Sequence, residues 1–164
     1  MGILIDKSDF VGDYELAKSG QDNINLFIEK YEKQILSQLL GSELLGLFQA
    51  DLSIAKVPQA PLYLDLYNPF VKDMVGVNVE YIGLKEMVLA YVFFFYSRKN
   101  SVKSTMNGPV NNVTEVSEPA NKFFLIGYYN RAIRAFKVVR YLCAYDNVVY
   151  PTYAGVNKDY ASML

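Results

Sequence analysis

Histidine is absent from the 164 residues of this chain, tryptophan is absent too, and cysteine occurs once, at Cys143. The first absence removes the commonest general base, the commonest metal ligand and every Ser–His or Cys–His nucleophile pair in one step. A single thiol excludes an internal disulfide framework and any cysteine-rich zinc site, and leaves a reducing compartment as the default. Neither Gly41 nor Gly46 has a Gly-Lys-Ser/Thr companion, so no phosphate-cradling loop is present. The start Met1-Gly-Ile-Leu-Ile meets Asp6 at once and lacks the basic lead and long apolar core of a signal peptide, so the mature chain is expected to begin here. The apolar run Met87–Tyr96 is about half the ~20 residues that a membrane-spanning helix needs, so no membrane span is expected.

What is present is apolar and aromatic. An apolar fraction of 52% with 20% charged residues is that of one soluble globular domain. Fourteen tyrosines and ten phenylalanines suggest extensive contact surface, since tyrosine suits half-wet interfaces. The net charge of -1 argues for no particular partner, but its distribution is uneven. Residues 1–53 carry nine acids against four bases, whereas Lys122–Arg140 holds five bases and no acid.

Periodicity predicts a mainly α fold, a bundle of about four helices with extended termini and a long loop or loose hairpin between the last two long helices. Ile24, Phe27, Ile28, Tyr31, Ile35 and Leu39 form one apolar stripe over a first helix from Asn23 to Leu40. Gly41 supplies a left-handed stop and Ser42 an oxygen to cap a second helix that runs to about Leu52. A short helix is expected between Pro61 and Tyr67, and Val75–Tyr81 reads as a short strand or irregular loop. The helix from Gly83 to Lys99 is amphipathic in its first turn and apolar on all sides in its second half, and is therefore expected to be buried in the bundle or between subunits. Ser101–Glu118 is the long loop, with Asn107-Gly108-Pro109 as its turn signal and Asn111 and Asn112 beyond. Ser117-Glu118-Pro119 opens a last long helix to about Ala144. A single domain, 1–164, thus divides into an N-terminal arm (1–22), a helical core (23–147) and a C-terminal arm (148–164).

Few residues suggest chemistry. Glu29 and Glu32 resemble a carboxylate pair, but Lys33 lies four residues after Glu29, and both acids are expected on a solvated face. Asp6, Asp9 and Asp13 lack the alternating oxygens and terminal glutamate of a calcium loop. Cys143 falls on the apolar face of the last helix and reads as a core residue. No catalytic residue, metal site or cofactor is expected, and no enzymatic activity. The one charge feature open to a functional role is the basic ridge Arg131, Arg134, Lys137 and Arg140. It is a solvated helix face, a contact for DNA phosphates, or a contact for an acidic neighbouring subunit.

Taken together, several motifs match in order and spacing: Ile5-Asp-Lys-Ser-Asp-Phe-Val-Gly12, Phe27-Ile-Glu-Lys-Tyr-Glu32, Leu39-Leu-Gly-Ser-Glu-Leu44 with Phe48, and Pro69-Phe70. Ile82-Gly-Leu-Lys-Glu-Met87, Asn107-Gly-Pro-Val110, Ser117-Glu-Pro-Ala120 and Tyr128-Tyr-Asn130 continue the series. Over nearly its whole length the chain resembles the head–tail connector (neck adaptor) proteins of tailed bacteriophages, in particular those of crAss-like phages. The resemblance implies a structural virion protein made in the host cytoplasm. It implies a ring of twelve copies beneath the portal protein, joined to other neck or tail proteins around the DNA channel, with non-specific contact to packaged DNA. It also implies that a loop and an extended terminus reach a neighbour, which makes Asn107, Gly108, Pro109, Asn111 and Asn112 a candidate interface loop. Tyr150, Pro151, Tyr153 and Tyr160 become a candidate interface arm. From the residues alone, a small cytoplasmic helical scaffold or regulatory binding protein remains the alternative.

Overall fold

The stripe that begins at Ile24 forms a helical run in three pieces: α1 (Ile24–Phe27), a single π-helical turn (Ile28–Glu32) and α2 (Lys33–Asp51). They belong to a computed structural model that describes residues 2–16, 23–74, 77–100, 102–105, 108–111, 118–145 and 148–153. Ile24, Phe27, Ile28, Ile35 and Leu39 are all buried, as the periodicity predicts. The break predicted at Gly41 is present: its φ of 75° and ψ of 172° lie where essentially only glycine is comfortable. Beyond it the helix resumes and buries Leu44, Leu45 and Phe48.

Asp51, at the end of α2, accepts the backbone N–H groups of Gln59 and Ala60, both at 2.8 Å. That contact places the start of α3 (Pro61–Tyr67), whose opening proline needs no N–H partner. An antiparallel hairpin follows, β1 (Phe70–Met74) with β2 (Val77–Tyr81), in the register Phe70↔Tyr81 and Lys72↔Val79. The second strand lies where a strand was an open reading, and the first was not anticipated.

Gly83 then turns the chain into α4 (Leu84–Asn100) with φ at 91°. From Met87 to Phe93 every residue of α4 is buried, and Tyr96 with them, so the middle of the helix is surrounded, as its run of apolar residues requires, while Arg98 and Lys99 at its end are exposed. The long loop contains a second antiparallel hairpin, β3 (Val102–Thr105) with β4 (Gly108–Asn111), in the register Val102↔Asn111 and Thr105↔Gly108. The last helix, α5 (Glu118–Tyr145), packs along α4 in the largest helix pairing among the described residues. Tyr128, Ala132, Ala135, Phe136, Val139 and Cys143 form its buried side.

The described parts of both termini pack against the helices. Residues 3–16 contain no long helix, as read, but they are part of the core: Leu4, Ile5, Phe10, Tyr14 and Leu16 are buried, with short 3-10 turns at Lys7–Asp9 and Gly12–Tyr14. Apolar residues spaced irregularly along a turn-rich segment give no periodic signal, yet each one reaches the helices beneath. At the other end Tyr150 is buried, so the beginning of the expected C-terminal arm is also built into the protomer. Residues 154–164, Tyr160 among them, lie outside the described residues.

Candidate functional site

Glu32 is the residue that sequence reasoning placed wrongly. It is 1% exposed instead of solvated, and its carboxylate accepts three successive backbone N–H groups. Ile3 donates to Oε2 at 2.6 Å, and Leu4 and Ile5 donate to Oε1 at 2.6 and 3.1 Å. Helical periodicity puts Glu32 at the edge of the apolar stripe, and no residue pattern announces the π turn that ends on it. Burial raises its pKa, while the three amides and the nearby Lys56 oppose that rise.

The rest of the N-terminal segment is held by directed contacts from other elements, so it acts as a strap. Lys56 sits in a left-handed backbone conformation, φ 61°, in the turn after α2. Its Nζ pairs with Asp6 at 2.6 Å and donates to the Ile5 carbonyl at 3.2 Å. Lys85 on α4 pairs with Asp9 at 2.8 Å. Tyr14 lies among the rings of Phe93 and Tyr128 and donates its hydroxyl to Glu86 at 2.7 Å, while Tyr128 donates to the Asp13 carbonyl at 2.8 Å. Asp6 and Asp9 cap each other's backbone, with the Asp6 N–H donating to Asp9 Oδ2 at 2.7 Å, and each also pairs with a lysine, while Asp13 is contacted through its main-chain carbonyl.

The basic ridge is not uniform. Arg131, though exposed, pairs with Glu86 at 3.1 Å, joining the Tyr14 contact, and is tied into the protomer. Arg134 and Lys137 are exposed and have no partner among the described residues. Arg140 is half-buried, with its charge near the Tyr153 hydroxyl. Ahead of the ridge on the same helix, Phe123 and Phe124 remain 76% and 57% exposed and Ile126 stands out beside them.

Of the candidate loop residues, Gly108, Pro109 and Asn111 belong to β4, while Asn107 and Asn112 fall outside the described residues. The described part of the candidate arm packs on the protomer. Tyr150 donates its hydroxyl to the Leu62 carbonyl on α3 at 2.8 Å and is buried, so it serves the protomer's own core. Tyr153 packs partly against that core, and only Pro151 of the described three is exposed. Cys143 is a core residue as read, fully buried, with its thiol pushed up to about 12 by desolvation.

Two adjoining grooves lie between the first hairpin and α5, about 470 and 380 Å³, sharing Glu80, Ile82 and Arg131 in their walls. A larger cleft of about 760 Å³ runs between the strap and α1, lined by Asp6, Lys7, Ser8 and Asn25 among others. Among the described residues no cluster of three metal-ligating side chains occurs, and no helix is long and apolar enough to cross a membrane. What this surface offers is shape, aromatic edges and unpaired charge, the chemistry of protein contact. Comparison with known protein families, with curated proteins and with solved structures gives no match.

Proposed function

We propose that the protein is a structural component of a tailed-phage virion, a head–tail connector that assembles into a ring beneath the portal and joins capsid to tail around the DNA channel. The observation that carries this reading is the outer side of α5. One long helix buries its inner side on α4 and presents exposed Phe123 and Phe124 on the remainder, then Arg134 and Lys137, which have no partner among the described residues. Exposed aromatics and an arginine free to pair are residue types enriched in interface centres. The sequence resemblance to connector proteins, which runs along nearly the whole chain, supplies the identity of the assembly. The tightly tied strap and the enclosed middle of α4 fit a protomer whose work is to keep its shape.

A ring built from head-to-tail contacts needs two different complementary patches on each copy. The acid-rich first third and the basic face of α5 are proposed as that pair, with the part of that face left uncovered in the assembled ring as a non-specific contact for packaged DNA. The test is co-sedimentation with a purified portal ring. The connector reading predicts that the protein joins the portal in several copies, and that the assembly gains a salt-sensitive, sequence-indifferent affinity for DNA. A chain that stays monomeric with and without portal contradicts it and favours the scaffold or regulator reading.

A further inference from the structure

Two glycines inside helices, Gly46 in α2 and Gly127 in α5, are exposed, and a Cβ added to either meets nothing within 4 Å. A glycine in a helix interior costs about 1 kcal/mol relative to alanine. Nothing among the described residues asks for that cost at either position.

Gly127 lies in the wall of the groove of about 470 Å³ between α5 and the end of the first hairpin. Asn130, Arg131 and Arg134 follow it on one side of the helix at helical spacing, facing Glu80 and Ile82 across the groove. Arg131 is already paired with Glu86, whereas Asn130, Arg134 and Glu80 have no partner among the described residues. The groove therefore has an apolar floor at Ile82 and Ala135 and a free guanidinium on its rim.

Gly46 lies on the outer side of α2, opposite the buried Leu44, Leu45 and Phe48. Glu43, Leu47 and Ala50 share that side and are exposed, with Leu47 keeping 48% of its surface in solvent. Glu43 has no partner among the described residues. One face thus offers an acid, a leucine and a close-approach glycine. The other offers a free arginine, an apolar floor and a close-approach glycine.

We infer that these are the two halves of one contact between copies of this chain. The Glu43–Ala50 face of α2 on one protomer seats in the groove between α5 and the first hairpin of the next. Leu47 enters above Ile82 and Ala135, Glu43 meets Arg134, and the two glycines let the helix backbones approach. The halves lie on different faces of the same chain, so the contact is heterologous and propagates from copy to copy. It rests on the connector reading only in taking that propagation to close as a ring.

The experiment is sedimentation velocity over a concentration series, with thermal melts alongside, on the wild type, Arg134→Glu, Glu43→Arg, the double charge swap, and Gly127→Leu. Each single charge reversal is expected to weaken self-association at least tenfold, and the swap to restore it. Gly127→Leu is expected to abolish association while matching or exceeding the wild-type melting temperature, because it fills the groove and favours the helix. Variants that associate like the wild type, or a swap that fails to restore association, overturn this contact. If those same variants still join the portal ring, the contact falls and the connector reading stands. A wild type that stays monomeric at every concentration overturns the contact as well, and portal binding then decides the connector reading separately.

Discussion

Glu32 holds Leu4: its buried Oε1 accepts the Leu4 N–H at 2.6 Å, between matching bonds from Ile3 and Ile5. A carboxylate inside a helix thereby does for the N-terminal strap what a neighbouring strand would do, satisfying three consecutive backbone donors that the core would otherwise strand. Glu32→Ala leaves those donors buried without acceptors. The expected loss is about 3–5 kcal/mol of folding free energy, with amide exchange rising first at residues 3–5. Wild-type stability in a urea titration contradicts this role.

The same residue gives a pH dependence of definite sign. Desolvation outweighs the amide bonds and lifts the Glu32 carboxyl above its ordinary 4.5. The folded chain then holds the proton more readily than the unfolded chain, so this contribution to stability is complete below pH 4.5 and is lost as pH rises through the folded value. Glu32→Gln removes the titration. Between about pH 4 and about pH 8, the variant should show a flatter stability profile than the wild type. Parallel profiles exclude Glu32 as the source.

Gly83 cannot be replaced without cost. Its φ of 91° is unfavourable for any side chain, and a Cβ there meets the Tyr67 carbonyl oxygen at 3.0 Å and the Pro69 nitrogen at 3.3 Å. Gly83→Ala should destabilise by about 1–3 kcal/mol, and the analogous change at Gly46, where space is open, should leave the protein as stable or more so. Equal effects at the two sites contradict the distinction.

These cases show what was legible in the sequence. Long periodic signals were: the Ile24–Leu39 stripe, the stop at Gly41, the proline-started helix at Pro61 and the burial of the middle of α4 each follow from residue spacing and backbone preference. Contacts between residues far apart in the chain were not. Glu32 looked solvated because its acceptors' donors come from residues 3–5, and β1 went unseen because a short exposed strand in a hairpin carries little pattern. Tyr150 looked like part of an arm because its turn-rich surroundings hide a hydroxyl that finds α3. The basic ridge was legible as charge, but the pairing of Arg131 with Glu86 was not.

Cys143 supplies a reporter of global opening. Its thiol is fully buried and pushed up to about 12, so at neutral pH it is protonated and out of reach. A thiol reagent should therefore react at the rate of unfolding and respond to urea as the unfolding transition does. Fast labelling of native protein contradicts its core placement.

The connector proposal is tested most directly by imaging the neck of the assembled virion at side-chain resolution. The account predicts several copies of this chain in a ring between portal and tail, with α5 and the outer face of α2 at the contacts between copies. A neck whose density is filled entirely by other chains contradicts it.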